Sequence, residues 1–171
     1  NLSSTQALSE ITNQKGGTHH PSAIGEVNVV EKMKEVNAVI GGEGNGGIIY
    51  PDLHYGRDAL VGVALFLSLL TENNQKVSFL RASYPDYSMS KAKLSLSEGI
   101  DFDAILKKIV SKYSERNPIT IDGVKIVFES SWVHLRKSNT EPIIRLYSEA
   151  KSQKEANKLI QNILKDIEEI V

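Results

Sequence analysis

The sequence predicts an α/β partial domain with a mixed sheet and helices. An α+β domain follows, with an antiparallel sheet of about four strands and helices on one face. Three observations lead to this. Up to about residue 71, short β-branched or apolar runs alternate with helical patterns, which suits helices layered on strands with some parallel pairing. Residues 72–86 turn polar, and Asn73-Asn74 and Tyr84-Pro85-Asp86 are turn signals, so a boundary belongs there. Beyond it, strand-like alternation and hairpin signals run up to a closing amphipathic helix. The expected units are residues 1–80 and 87–171.

The elements follow in order. Residues 27–30 are a β-branched run that reads as strand, and residues 31–35 read as a polar helical turn. Ala38, Val39 and Ile40 are strand-like and lead into a glycine-rich loop. Residues 57–70 read as a helix with Leu60, Val61, Val63, Leu65, Phe66, Leu67, Leu69 and Leu70 spread over nearly all faces, the pattern of a helix buried on both sides. In the second unit, residues 89–96 suit an edge strand with Leu94 and Leu96 on one face. Asp101 can cap a helix in which Phe102, Ile105, Leu106, Ile109, Val110 and Tyr113 share a side. Ile119-Thr120-Ile121, the turn pair Asp122-Gly123 and the alternating Val124, Ile126 and Phe128 predict a hairpin. Residues 132–135 and 143–147 read as two more strands. Ser152 and Glu155 have capping-box spacing. Ala156, Leu159, Ile160, Ile163, Leu164, Ile167, Ile170 and Val171 then form one apolar face, and the helix is expected to cover one side of the small sheet.

Composition narrows the function classes. Of 171 residues, 40% are hydrophobic and 24% charged, as in an ordinary globular chain. A net charge of −1 gives no reason to expect nucleic-acid or anionic-membrane partners. The longest apolar run, residues 59–70, is interrupted by Gly62 and Ser68 and is too short to span a bilayer. No signal peptide is recognisable, and the missing initiator methionine suggests a processed or truncated chain. There is no cysteine, which removes disulfides and thiolate metal sites. His19, His20, His54 and His134 lack metal-ligand spacing.

Two loops carry the chemistry. Gly41-Gly42-Glu43-Gly44-Asn45-Gly46-Gly47 lets the backbone approach a ligand closely. Glu43 can accept from two hydroxyls, and Asn45 can donate and accept, which suits a polyhydroxylated ligand such as a sugar. The plain alternative is a flexible hairpin around Asn45-Gly46. Arg136-Lys137-Ser138-Asn139-Thr140-Glu141-Pro142 has the composition of an anion site. Arg136 offers a planar fork matched to phosphate oxygens. Ser138, Asn139 and Thr140 donate hydroxyl and amide protons, and Pro142 stiffens the exit. Arg145 alternates with Ile144 and Leu146, so it faces away from them and could be a second phosphate contact. The alternative here is a polar hairpin. Together the two loops point to a phosphosugar.

Both loops resemble those of the α-D-phosphohexomutase superfamily, which includes phosphomannomutase/phosphoglucomutase and phosphoglucosamine mutase. Gly42-Glu43-Gly44-Asn45-Gly46-Gly47 is similar to the sugar-binding loop of the third domain, and Arg136-Lys137-Ser138-Asn139-Thr140-Glu141-Pro142 to the phosphate-binding loop of the fourth. Ala23-Ile24-Gly25-Glu26-Val27-Asn28-Val29 and Gly56-Arg57-Asp58 also resemble third-domain segments, in the right order and spacing. The resemblance implies that residues 1–80 are a truncated sugar-binding domain and residues 87–171 a C-terminal phosphate-binding domain. It implies interconversion of hexose 1-phosphate and hexose 6-phosphate through a hexose 1,6-bisphosphate, which serves as intermediate and activator. The implied phosphoserine, and the aspartate loop holding Mg2+, lie in N-terminal domains of the same polypeptide. Sugar contacts would fall to Glu43 and Asn45, and phosphate contacts to Arg136, Ser138, Asn139 and Thr140. No catalytic residue or metal ligand is expected in this chain, which alone should be inactive. The implied setting is cytoplasmic, with no membrane or nucleic-acid partner.

The sequence departs from the family pattern at Asn45 and Gly47, where many members carry serine and histidine. Glu26 lies near a position that is histidine in some relatives. The Ser-Asn-Thr form of the phosphate loop resembles the phosphomannomutase/phosphoglucomutase type more than phosphoglucosamine mutase. Two other readings stay open: a noncatalytic phosphosugar-binding module, and an interaction module in which both loops are only turns.

Overall fold

A computed structural model describes residues 1–95, 101–138 and 143–170, arranged as two compact units, Asn1–Asp86 and Tyr87–Val171.

In the first unit, α1 (Gln6–Gln14) starts at Thr5, whose hydroxyl accepts from the Ala7 N–H. Next come α2 (Glu26–Val36), β1 (Gly41–Gly42), β2 (Ile48–Ile49), α3 (Ala59–Asn73) and α4 (Val77–Ala82). Residues 27–30, expected as strand, are the first turns of α2. Val29 and Met33 lie one helical turn apart and bury together against Ile49, with Val30 and Ala38 beside them. That spacing outweighs the strand preference of the valines. Residues 38–40 are not strand either. Val39 and Ile40 are exposed, and pairing begins only at Gly41. The ladder is antiparallel, Gly41↔Ile49 and Gly42↔Ile48, so the expected parallel pairing is not found among the described residues. α3 forms where expected, with the Asp58 carboxylate accepting from the Leu60 and Val61 N–H groups. It is not buried on both sides: none of its residues is buried, and Leu60 is 81% exposed. A two-residue ladder is too narrow to cover so apolar a helix. The polar stretch before the second unit holds α4, anchored by buried Leu80.

The second unit contains β3 (Ser88–Ser95), α5 (Phe102–Lys112), a 3₁₀ turn at Ser114–Arg116, β4 (Val124–Val127), β5 (Trp132–Lys137), β6 (Ile143–Ala150) and α6 (Gln153–Ile170). The four strands form one antiparallel sheet in the order β3-β6-β5-β4. Val124, Ile126, Val133, Leu135, Ile144 and Leu146 share one face and pack on Phe102, Ile105 and Ile109 of α5 and Ile163 and Ile167 of α6. Asp101 caps α5 through the Asp103 and Ala104 N–H groups. Ser152 starts α6 by accepting from the Glu155 N–H at 3.3 Å while its hydroxyl donates to the Glu155 carboxylate at 3.0 Å. The hairpin around Asp122-Gly123 is shorter than expected, because Ile119 pairs with Lys125 as an isolated bridge. Gly123 has φ +71°, and a β-carbon there would fall on the Leu135 carbonyl oxygen. Only glycine lets this turn lie flat on β5. Leu96 and Val171 lie outside the described residues.

Candidate functional site

Strand alternation decides what the second unit presents on the sheet face away from α5 and α6. Leu94↔Ile144 and Leu135↔Leu146 point into the core. The adjacent row, Lys93↔Arg145↔Arg136, therefore stands on the opposite face and places three cations abreast on three strands. Like charges directly opposite one another in a sheet disfavour pairing. An anion bound across them would relieve that repulsion. Arg136 is mostly buried, its side chain 18% exposed, with the Asp122 carboxylate 3.6 Å from Nε. That Nε has no hydrogen-bond partner among the described residues. Ser138 is buried, and its N–H donates to the Ile143 carbonyl at 3.0 Å, which closes the base of the loop. Asn139 and Thr140, expected as phosphate ligands, lie outside the described residues. Nothing local in the sequence sets Lys93 apart from the other surface lysines. The signal was available in strand parity, but only once the β3–β6 register was known.

The next row on the same face is polar, and buried at Lys125 and His134. Lys125 pairs with His134, and His134 with Tyr147. The Lys125 ammonium sits 3.9 Å from the centre of the Trp132 ring, and the Trp132 indole N–H donates to Glu149 at 2.8 Å. Burial holds the Lys125 amine down at about 8, against the opposing pull of Glu149. His134 donates from Nε2 to the Asp122 carbonyl at 2.6 Å, and its Nδ1 has no partner among the described residues. Burial, with the nearby Lys125 and Arg136 cations, pushes its pKa below the usual imidazole range. This row thus fixes the Asp122-Gly123 turn against β5, and through it the setting of Arg136.

In the first unit the glycine loop is a tight turn between β1 and β2, closed by Glu43 N–H to Gly47 O and Gly46 N–H to Glu43 O, both 3.0 Å. Asn45 is exposed at its tip, and its Oδ1 accepts from the Gly47 N–H at 3.0 Å. That leaves the amide NH2 facing outward as a donor. Glu43 is placed differently from an outward-facing sugar ligand. Its side chain is only 6% exposed, and Oε1 accepts from Gly25 N–H at 3.2 Å and Asn1 Nδ2 at 3.0 Å. Its Oε2 lies 3.6 Å from the Arg57 guanidinium. Arg57 in turn pairs with Glu26, Nε to Oε2 at 2.8 Å. Glu26, Asn45, Gly46, Gly47, Arg57 and Ala59 line an open cleft beside the loop. Arg57 is the residue that reading by loop composition missed, since it lies ten positions beyond Gly47 on the next turn.

Among the described residues, no group of three or more His, Cys, Asp or Glu side chains could hold a metal ion. These described residues therefore do not fit a magnesium site. Among the described residues no helix is long and apolar enough to cross a membrane.

Comparison with known proteins agrees with this architecture. Residues 1–87 match the family described as phosphoglucomutase/phosphomannomutase, alpha/beta/alpha domain III, and residues 91–166 match the phosphoglucomutase/phosphomannomutase C-terminal domain. A phosphoglucosamine/phosphogalactosamine mutase from Sulfurisphaera tokodaii is 41% identical over 85% of this chain and 32% of its own length. A phosphoglucomutase/phosphomannomutase from Thermococcus kodakarensis is 36% identical over 98% of this chain and 37% of its own. The crystal structure of a phosphoglucomutase/phosphomannomutase family protein from Burkholderia thailandensis shares the fold, with a TM-score of 0.78 at 24% identity, over 97% of this chain and 36% of that one. The chain spans about a third of the length of the curated relatives it matches. With both family domains matched in order along it, the chain belongs to the phosphoglucomutase/phosphomannomutase family.

Proposed function

We propose that this chain is the substrate-binding C-terminal part of a phosphohexomutase that interconverts hexose 1-phosphate and hexose 6-phosphate. The observation that supports this most is the Lys93–Arg145–Arg136 row beside the buried Ser138, an anion platform built into a rigid sheet. Phosphoryl transfer depends on positioning and on neutralising charge. Arg136 and Arg145 hold the phosphate that does not react, with Ser138, Asn139 and Thr140 completing the set. Asn45 and Glu43 belong to the sugar half. Asn45 donates directly, while Glu43 acts from beneath the loop by fixing Gly25 and Arg57. The nucleophilic phosphoserine and Mg2+ are assigned to domains outside this chain, so this chain alone gives no turnover. The similarity to the Sulfurisphaera protein, named as a phosphoglucosamine/phosphogalactosamine mutase, favours an amino sugar as a second reading of the substrate.

Calorimetric titration of the full-length protein with inorganic phosphate, glucose 1-phosphate and glucosamine 6-phosphate tests this. Arg136→Ala is expected to weaken all three roughly tenfold to a hundredfold, the loss of a charge-assisted contact. Unchanged affinity for all three would remove the assignment. The ratio between the two sugar phosphates in the unaltered protein chooses between the substrate readings.

A further inference from the structure

The course of the Arg57 side chain is not explained by the turn it borders. The glycine loop closes on itself through its own backbone bonds, and α3 is capped by Asp58. Neither needs an arginine. Arg57 nevertheless lies across Gly47. A β-carbon at position 47 would stand 2.7 Å from Arg57 Cδ, closer than carbon atoms pack, and 3.2 Å from Cγ, so the arginine stem would have to shift. Gly47 has no side chain, and the arginine stem fills the space that one would take. The guanidinium then reaches two carboxylates, with Nε 2.8 Å from Glu26 and Nη1 3.6 Å from Glu43. The Arg57 N–H also donates to Glu26 at 3.2 Å. Glu26 is thereby tied to both the head and the backbone of Arg57.

This pair is half-exposed, 48% at Arg57 and 36% at Glu26, so as an ion pair it adds little to stability. Its position is the more telling feature. Arg57 and Glu26 line the same open cleft as Asn45, Gly46 and Gly47. A guanidinium carries five N–H donors in a fixed fork, and the two carboxylates engage only part of it. The Asn45 amide adds a donor and the Glu26 carboxylate an acceptor. Donors and an acceptor set side by side match a pair of adjacent ring hydroxyls, each of which gives one hydrogen bond and takes others.

Resting on the reading above, we propose that Arg57 is a hydroxyl-binding residue of the sugar site, that Gly47 is the clearance through which its side chain reaches the cleft, and that Glu26 and Glu43 hold its guanidinium in place. The ligand chemistry is the vicinal diol of a hexose phosphate.

The test is titration of the full-length protein and its variants with glucose 1-phosphate, glucosamine 6-phosphate and inorganic phosphate. Arg57→Ala is expected to weaken both sugar phosphates on the order of tenfold or more and to leave inorganic phosphate unchanged. Arg57→Lys keeps the charge and guards against simple loss of folding. It is expected to recover only part of the affinity, because an ammonium cannot reproduce the fork. Gly47→Ala is expected to act through Arg57, costing affinity in the native background and nothing further alongside Arg57→Ala. Sugar-phosphate affinity unchanged in Arg57→Ala, or additive losses from Gly47→Ala and Arg57→Ala, would overturn the proposal. An Arg136→Ala arm separates the two failures. If Arg136→Ala weakens binding while Arg57→Ala does not, the phosphosugar reading stands and the role of Arg57 falls. If no sugar phosphate binds the unaltered protein, both fall.

Discussion

His134 shows how one buried side chain can govern a site it does not enter. Its imidazole is wholly buried, bonds to the Asp122 carbonyl and is kept neutral by burial and by the Lys125 and Arg136 cations. A histidine whose folded pKa is depressed contributes stability that is present above about pH 6.5. As pH falls below that, the unfolded chain takes up a proton that the folded chain refuses, and stability is lost towards the folded pKa. Urea denaturation between pH 7 and pH 5 is expected to show falling stability, and His134→Gln to flatten the dependence. At the residue scale the partners of a side chain are set by folding more than by local sequence. Glu43 was legible as a loop carboxylate, but its partners Asn1, Gly25 and Arg57 are distant in sequence, and only folding shows that it faces inward. Arg136 and Arg145 were legible as cations. That they stand abreast depends on the β5–β6 register.

At the scale of elements, the second unit follows its sequence pattern in strands and helices alike, while α1, α4 and the first turn of α2 do not follow from the reading of the first unit. α5, α6 and their caps follow from apolar periodicity and from Asp101 and Ser152, all of it local information. Residues 27–30 misled because valine favours strands, whereas the pairing of Val29 with Met33 against Ile49 is tertiary. The contact of α5 with α6 could not be read at all. Tyr113, at the end of α5, donates to Asp166 of α6 at 2.6 Å, and Lys112 reaches Asp166 at 2.7 Å. Burial first, then the bond to Asp166, raise the Tyr113 pKa to about 12. A tyrosine raised in this way stabilises the fold fully below about pH 10, and the contribution is lost as pH climbs from there towards the folded value. Tyr113→Phe is expected to cost about 1 kcal/mol near neutral pH, less than a fully buried bond to a charged group because the ring is partly exposed. It should also remove the alkaline part of the stability decline. Thermal melts at pH 7 and pH 11 measure both.

At the scale of the whole molecule, the two units differ in how well they cover their apolar surface. The second closes a core between its sheet and α5 and α6. The first leaves Leu60, Val63, Phe66 and Leu67 of α3 at least 40% exposed. A continuous apolar helix face of this kind favours association. Sedimentation of the 171-residue chain is expected to show concentration-dependent self-association, weakened by Leu60→Glu with Leu67→Glu. A monomer at all concentrations would show that this face does not drive association. The two-unit plan was legible from the polar stretch and the change of rhythm after it. The small ladder of the first unit was not, because a glycine run does not announce which of its members will pair.

The chain contains a single tryptophan, and Trp132 lies in the second unit, between the Lys125 ammonium and the Glu149 carboxylate. The molecule therefore carries an optical label on one half only. Selectively excited indole emission follows the loss of the four-stranded sheet and ignores the glycine-loop unit. Far-ultraviolet dichroism follows the helices of both. Where the two signals part company on heating, the halves melt as separate cooperative bodies; where they coincide, the units share one transition.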